Sequence, residues 1–338
     1  MSTFKRFLQY YKPYKGIFFM DLFCALIMCI VDLSFPLILS YCTGQFFLNS
    51  SNEILKGVFV LGIGLLVMYV IRALCRYYVS CQGHVMGANM ESDMRQDLFN
   101  QYQRLSFSYY DKHNTGVMMS RVVSDLFDIC EFAHHGPENL FISLFKIVGS
   151  FIILATIYWP LALILLAVTV VMMVFSYSQN KKMRRTFMEN RKKIGSVNAS
   201  LQDSLGGIRV VQSFANEDIE IDKFNHSNME FLESKKDNYR VMGTFQGGNN
   251  FFQGLLYVTI IVFGGLFIAN GDLNPIVLAT FALYINVFVS PIEVLVEFTE
   301  MFQKGFSGFR RFEEVMNEIP EIQDFKNAKD LENVSGNI

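Results

Sequence analysis

Residues 161–178 read LALILLAVTVVMMVFSYS, an apolar run without a charged side chain, and residues 181–193 read KKMRRTFMENRKK. A helix of about 20 apolar residues crosses the hydrocarbon core of a bilayer. The first run therefore predicts a membrane span. No proline and no glycine-rich break separates it from the basic run, so the same helix is expected to continue beyond the bilayer.

Five further apolar stretches of similar or greater length occur along the chain. Together with the first they give six predicted spans, at residues 17–47, 54–80, 138–158, 161–178, 250–269 and 275–299. The 338 residues are 51% hydrophobic and 15% aromatic, which is too apolar for a soluble domain of this size. The first stretch is longer than the core of a signal peptide and lacks a small-residue cleavage site, so we interpret it as an uncleaved span. The sequence predicts an all-α membrane protein in contact with a lipid bilayer.

The distribution of Lys and Arg predicts the orientation of these spans. The short connections at residues 49–53, 159–160 and 270–274 contain neither residue, whereas the two long connections contain Arg95, Arg104, Lys112, Arg121 and the basic run 181–193. Connections rich in Lys and Arg remain in the cytoplasm. We therefore expect a multi-pass protein of the plasma membrane, with both termini and both long connections in the cytoplasm.

Each long connection has about 60–70 residues when a span is taken as about 20 residues. Both have helical periodicity and almost no proline, which is unlike a loose loop of that length. We interpret them as two intracellular helical hairpins formed by the extended ends of six long transmembrane helices. At about 1.5 Å per residue, thirty extra residues reach roughly 45 Å beyond the bilayer.

The charge distribution argues against a nucleic-acid-binding site, and the cysteine positions argue against a site built from paired cysteines. The net charge is −2 and the basic residues form short blocks beside apolar runs, so nucleic acid is not expected as a partner. The six cysteines lie in or beside apolar runs without a CxxC pair, and we expect free thiols.

The turn of each hairpin has a distinctive sequence. The first tip, residues 107–125, reads FSYYDKHNTGVMMSRVVSD, with a break at Asp111, Asn114 and Gly116 before a helix restarts at Val117. The second tip, residues 206–217, reads GGIRVVQSFANE, a short helix opened by two glycines. Tyr110 and Phe214 are large side chains at exposed turns, which indicates a partner surface.

These segments resemble the two intracellular loops of ABC exporter transmembrane domains (the type I exporter, or type IV, fold), with their FYxxxxxGxxxSRxxxD and GIxxVxSFAxE patterns. The resemblance continues at residues 12–15 (KPYK), 270–273 (NGDL), Pro291 and residues 308–316 (GFRRFEEVM), and so covers nearly the whole chain. The chain is most similar to bacterial homodimeric multidrug and lipid half-transporters.

The resemblance implies a domain-swapped dimer with a second transmembrane domain. It also implies that both tips are coupling helices, which dock on nucleotide-binding domains through Tyr110, Asp111, Thr115, Gly116, Ser120, Arg121, Gly207, Arg209, Val211 and Phe214. Asp203 and Gln212 differ from the residues usual in the family, so ion pairs made there by relatives are not carried over. The alternative for these residues is a hairpin cap with a solvated Arg.

No GxxxxGK[ST] motif occurs in the sequence, and no catalytic residue is predicted. The chain alone is therefore not expected to be an enzyme, and ATP and Mg are expected in a nucleotide-binding domain outside it. We assign residues 1–320 to the transmembrane domain. Residues 321–338 are expected to be a linker and the truncated start of that nucleotide-binding domain, although a separately encoded ATPase subunit is the alternative.

Polar side chains in or directly next to the predicted spans indicate where a substrate would lie. One helical face of span five carries four amides, which line either a water-filled cavity or a neighbouring helix: Gln246, Asn249, Asn250 and Gln253. Span six carries Glu293, Glu297 and Glu300. These carboxylates either line a cavity that favours cationic amphipathic molecules or form a solvated stripe with an ion pair from Glu300 to Lys304.

Two further sets of ionisable residues do not by themselves predict a functional site. Asp32 in span one and Lys146 in span three lie at equal predicted depth, which permits an ion pair of either functional or structural importance, and Asp32 is also assigned to the cavity. Glu131, His134 and His135 have helical spacing. The adjacent histidines are expected to point about 100° apart and no fourth ligand is evident, so no metal site is predicted.

Together these features predict an ATP-driven exporter that moves amphipathic small molecules, lipids or peptides outward by alternating access. The rival interpretation is a six-span sensor or anchor whose hairpins bind a different cytoplasmic domain. A passive channel is disfavoured because no short apolar loop supplies a re-entrant filter.

Overall fold

The computed structural model describes residues 3–323 and residue 328, except for the side chains of residues 3, 4 and 297. This part of the chain is helical and contains no β-strand. The ten α-helices are α1 Thr3–Phe7, α2 Lys15–Gly44, α3 Ser51–Tyr78, α4 His84–Arg104, α5 Phe107–Lys112, α6 Thr115–Ser120, α7 Leu126–Gly206, α8 Ile208–Ser213, α9 Glu217–Ala269 and α10 Pro275–Met316. Two π-helical segments, Val79–Gly83 and Arg121–Asp125, lead into α4 and α7.

Five helices in the described part are long and apolar enough to cross a membrane. They are Lys15–Leu48, Ser51–Arg104, Thr115–Gly206, Glu217–Ala269 and Pro275–Met316. Predicted spans three and four both fall within α7, where a kink at Tyr158 (φ −159°, ψ 95°) separates two helical parts. The all-α membrane fold is confirmed, and the count of six spans stays a prediction.

The long helices exceed the thickness of a bilayer, as the sequence predicts. α9 has 53 residues, which corresponds to roughly 80 Å at about 1.5 Å per residue, against a hydrocarbon core of about 30 Å. Most of the first half of this helix is polar, with Glu217, Asp218 and Glu220 in its first turn. Such a helix must extend well outside the apolar layer.

The chain divides into two compact units. The first consists of residues 1–31, 62–142 and 297–338. Its core is a row of side chains on α4 at helical spacing, Met86, Met90, Met94 and Leu98, all fully buried. These side chains belong to one cluster with residues of α7 and α10, including Leu126, Ile129, Phe309 and Phe312.

The second unit consists of residues 32–61 and 143–296. Its core contains Phe281, Tyr284, Ile285 and Phe288 of α10 with Leu154, Leu161 and Leu165 of α7 and Leu256 of α9. Tyr284 donates its hydroxyl hydrogen to the carbonyl of Leu33 at 2.5 Å. A Cβ atom at Gly248 would lie 2.1 Å from the ring of Phe175, so α9 and α7 approach closely there because Gly248 has no side chain.

Candidate functional site

The first tip is a pair of short helices joined by a capped turn. Asn114 precedes α6, and its side-chain oxygen accepts a hydrogen bond from the N–H of Gly116 at 2.7 Å. Asn is among the preferred residues at this position because its oxygen satisfies a free N–H of the first helical turn. The ring of His113 stacks on that of Tyr109, with centroids 4.1 Å apart. Burial raises the pKa of Tyr109.

The predicted coupling residues of the first tip differ in exposure. Asp111, Thr115, Gly116 and Ser120 are exposed. The hydroxyl of Tyr110 donates to the carbonyl of Tyr102, although the side chain is still exposed. These residues form an accessible surface with one anchored aromatic ring.

Arg121 is half-buried and contacts α10. Its guanidinium lies 3.4 Å from the carbonyl oxygen of Arg311 and 3.5 Å from a carboxylate oxygen of Glu314. Arg121 is therefore tied to α10 as well as being placed at the tip.

An ion pair that the sequence analysis did not find lies beside this contact. The guanidinium of Arg311 donates two hydrogen bonds to the carboxylate of Asp125, at 2.6 and 2.7 Å, and Asp125 is only 8% exposed. Paired, charge-assisted hydrogen bonds of this kind fix geometry as well as adding energy. Asp125 is the last residue of the FYxxxxxGxxxSRxxxD pattern, and Arg311 lies in the GFRRFEEVM segment. The acidic and basic partners of this ion pair were therefore both present in motifs identified from the sequence.

Apolar side chains extend from the first tip. Phe107 is 89% exposed, and Val117, Met119 and Val123 are each more than half exposed. A shallow cleft beside them is lined by Asn114, Gly116, Val117, Ser120, Arg121, Asp125 and Arg311. Exposed apolar groups beside polar ones are typical of protein interaction surfaces.

The second tip reverses the chain between α7 and α9. The N–H of Gly207 donates to the carbonyl of Asp203 at 2.9 Å where α7 ends. Past α8, Ala215 adopts a left-handed conformation (φ 52°), and the N–H of Asn216 returns to the carbonyl of Val211 at 3.0 Å. These bonds close the helix ends that would otherwise leave carbonyl groups without partners.

The predicted coupling residues of the second tip lie on this turn. Phe214 is 73% exposed and Arg209 is exposed, whereas Gly207 and Val211 are half-buried. Val210, which was not among the predicted residues, is also largely exposed. The second tip therefore presents an aromatic and an aliphatic side chain next to a cationic one.

The four amides of α9 do not all point the same way. Asn249 is buried and accepts a hydrogen bond from Ser176 of α7 at 2.6 Å. Gln253 donates to the side-chain oxygen of Asn286 on α10 at 3.2 Å, and the hydroxyl of Tyr257 donates to the same oxygen at 3.3 Å.

The neighbouring-helix alternative holds for two of the four amides, and the cavity alternative stays a prediction for the other two. Asn249 and Gln253 bind neighbouring helices, whereas Gln246 and Asn250 are exposed. Asn286 is a further polar residue of this region that the sequence analysis missed. The position of this amide side chain inside the apolar sequence of predicted span six could have indicated it.

The ionisable residues of the predicted spans are placed as follows. Glu293 is exposed, and the side chain of Glu297 lies outside the described residues. Glu300 and Lys304 form the i,i+4 ion pair that the solvated-stripe interpretation requires, at 2.8 Å. Asp32 and Lys146 form the predicted ion pair at 2.6 Å, with 18% and 20% of their side chains exposed.

Residues 18–292, most of the chain, match the family described as the ABC transporter transmembrane region. The chain belongs to this family. It is 36% identical over 341 residues to the uncharacterized ABC transporter ATP-binding protein YwjA of Bacillus subtilis, covering 99% of this chain and 58% of that protein.

Two other relatives carry names that describe transport. This ABC transporter transmembrane region is 24% identical to the ATP-dependent lipid A-core flippase of Syntrophus aciditrophicus, over 100% of this chain and 56% of the flippase. It is 25% identical to the putative multidrug export ATP-binding/permease protein YgaD of Bacillus subtilis, over 100% of this chain and 59% of that protein. The chain spans just over half the length of these relatives.

The transmembrane region also contains a polar cluster that the sequence analysis did not assemble. His84 of α4 lies beside His134 and His135 of α7, and one ligand-capable nitrogen from each of the three rings lies within 4.8 Å of the other two. The ring centroids of His134 and His135 are only 3.9 Å apart. The expectation that the adjacent histidines diverge was therefore wrong, because their side-chain rotations bring the rings together despite the 100° step along the helix.

Proposed function

We propose that this transmembrane region forms the substrate pathway of an ATP-driven exporter. In this proposal two copies assemble as a domain-swapped dimer and contribute six spans each. Both termini lie in the cytoplasm, and the first and second tips dock on nucleotide-binding domains, which hold ATP and Mg. The chain contributes the pathway and the full-length protein contributes ATP hydrolysis.

The observation that carries the proposal is the combination of long helices and exposed apolar side chains at their turns. Phe107 and Phe214 are the most exposed aromatic side chains of the two tips. Burying such side chains against a partner removes apolar area from water and commonly provides the dominant contacts of an interface. Nucleotide-binding domains are the partners that membership of the family supplies.

The proposed mechanism is alternating access. Nucleotide binding brings two nucleotide-binding domains together, the tips move with them, and the helices that continue from the tips transmit the movement towards the spans. The first tip is suited to this task because Asp125 and Arg311 fix the start of α7 against α10. A rigid junction transmits displacement that a loose one would absorb.

The proposed substrates are amphipathic molecules. Relatives named for lipid A-core flipping and multidrug export support this class. Within the chain, Gln246 and Asn250 are exposed amides on α9, and Glu293 is an exposed carboxylate on α10. Such groups offer hydrogen bonds and negative charge to a substrate that also contains apolar surface.

The decisive experiment uses the full-length protein in inside-out vesicles. We expect Phe214→Ala to lower transport of a fluorescent cationic amphipathic probe at least tenfold while ATP hydrolysis continues, since loss of an interface hot spot costs about 2 kcal/mol or more and about 1.4 kcal/mol corresponds to a factor of ten. Phe187→Ala is the matched control, because Phe187 is an exposed aromatic residue of α7 away from the tips.

Three outcomes separate the interpretations. Reduced transport in Phe214→Ala but not in Phe187→Ala supports docking at the second tip. Equal transport in both variants contradicts it. If wild-type vesicles move neither the probe nor fluorescent lipids when ATP is supplied, the sensor or anchor interpretation is favoured over the exporter.

A further inference from the structure

The three histidines described above form a convergent set of nitrogen ligands. The ring centroid of His84 lies 4.6 Å from the ring centroid of His134 and 5.0 Å from that of His135. All three belong to the same compact unit of the chain. Imidazole nitrogens are common ligands of Zn²⁺ and related transition metals, and three histidines are sufficient protein ligands for zinc.

His134 has the protonation pattern that a metal ligand requires. Its Nδ1 lies 2.9 Å from the carbonyl oxygen of Cys130, which can only accept a hydrogen, so this nitrogen carries the proton. The lone pair of the neutral ring is then on Nε2. That atom is buried, on a side chain only 5% exposed, and has no hydrogen-bond partner among the described residues.

A buried nitrogen without a partner costs free energy, and such atoms call for an explanation. A hydrogen bond from the ring to a backbone carbonyl is also the usual arrangement that orients a histidine towards a metal. A cation bound at Nε2 of His134 accounts for both the tautomer and the lack of a protein partner.

His135 is flanked by two carboxylates. Its Nδ1 lies 3.7 Å from Glu138 and its Nε2 lies 3.9 Å from Glu131. If one nitrogen binds a metal, the other can donate to a carboxylate, which is the carboxylate–histidine pairing found around zinc. The remaining carboxylate can complete the ligand set with a charged oxygen.

The backbone around the cluster accommodates these side chains. His84 directly follows the π-helical segment Val79–Gly83, and such segments often occur at functional sites. A Cβ atom at Gly87 would lie 2.9 Å from Nδ1 of His134, so the absence of a side chain at Gly87 makes room for the ring. Asp21, also buried and with one carboxylate oxygen unpartnered among the described residues, faces Gly83.

We propose that His84, His134 and His135 bind a divalent transition metal of the Zn²⁺ type, with a carboxylate of Glu138 or Glu131 beside it. Zinc–nitrogen bonds of about 2.0–2.1 Å place the nitrogens of a tetrahedral site roughly 3.3 Å apart. One nitrogen of each ring lies within 4.8 Å of the others here, so binding requires side-chain rotations that bring the nitrogens roughly 1.5 Å closer, and the exposed side chain of His84 has room to rotate. The bound ion would connect α4 to α7, the two arms of the first hairpin.

The test is metal binding to the full-length protein in lipid nanodiscs, after removal of the purification tag and treatment with a chelator. Co²⁺ is the spectroscopic probe and Zn²⁺ is measured by competition, with elemental analysis for stoichiometry. We expect about one ion per chain and the visible absorption bands of a tetrahedral cobalt site, since three histidines and one further ligand give that geometry.

Variants assign the ligands. His134→Ala and His84→Gln should each weaken Zn²⁺ binding at least tenfold, the scale seen even for groups that only orient metal ligands. His226→Ala is the matched control, because His226 is an exposed histidine of α9 outside the cluster. Since His84 is exposed, His84→Gln is expected to fold normally even if His134→Ala does not.

Thermal unfolding gives an independent reading. Zn²⁺ should raise the Tm of the wild type and of His226→Ala but not that of His84→Gln, because an ion that binds only the folded protein stabilises it. The proposal is overturned if the wild type binds no ion, or if His84→Gln retains wild-type affinity. Neither result depends on whether the protein transports a substrate.

Discussion

At the scale of single residues, the ion pair between Asp125 and Arg311 is the most consequential contact of the first tip. Asp125→Asn should lower the stability of the full-length protein by about 2 kcal/mol, because it removes one partner of a largely buried pair while Arg311 stays charged and partly exposed. The apparent Tm in detergent measures this loss.

Glu300→Gln is the control for that prediction. It breaks an ion pair with Lys304 in which both side chains are about half exposed, and such pairs contribute about 0–1 kcal/mol. An equal change in Tm for the two variants would contradict the importance assigned to Asp125.

The same scale shows which contacts a sequence can predict. Asp32 and Lys146 were placed at one depth by counting helical residues, and the ion pair is present. The histidine cluster could not be found that way, because His84 is distant in sequence from His134 and enters the cluster only when α4 packs beside α7. Spacing along one helix reports a shared face, whereas a site built from several helices depends on how they pack.

At the scale of elements, the second tip depends on one unusual backbone conformation. Ala215 has φ 52°, a region that costs a residue with a Cβ roughly 1 kcal/mol more than glycine. Ala215→Gly should therefore stabilise the turn by up to about 1 kcal/mol. Hydrogen exchange of residues 208–216, measured by mass spectrometry, should slow.

Gly271 is a glycine that already occupies a left-handed conformation, so the reverse substitution is expected to have the opposite effect. It has φ 81° at the turn between α9 and α10, so Gly271→Ala should destabilise that turn and speed its exchange. The prediction is wrong if the two substitutions change local exchange in the same direction.

Element boundaries also show the limits of hydropathy. The charge-free pair Trp159 and Pro160 predicts a connection between two spans, and the structure has non-helical backbone angles at the adjacent Tyr158, which separate two helical parts of α7. Proline is tolerated in the first turn of a helix, where its missing N–H has no partner to lose. The sequence therefore marks the position of the kink without distinguishing it from a loop.

At the scale of the whole molecule, the charge asymmetry predicts on which side of the membrane each turn lies. A cysteine introduced by Asn52→Cys should react with a membrane-impermeant maleimide in intact cells. One introduced by Gln212→Cys should react only after permeabilisation. Both positions are exposed, and five of the six natural cysteines are buried, so the background should be low. The reverse labelling pattern would overturn the predicted orientation.

The row of methionines on α4 has a consequence for movement of the chain. Met86, Met90 and Met94 are fully buried, yet their side chains are unbranched and flexible and adapt to neighbours of changing shape. β-branched residues at these positions have few side-chain rotamers and would fix the packing of α4 against its neighbours in one arrangement. Methionines at these positions would let α4 shift slightly against its neighbours while its inner face stays dry, so the proposed transport cycle need not break this core to reshape it.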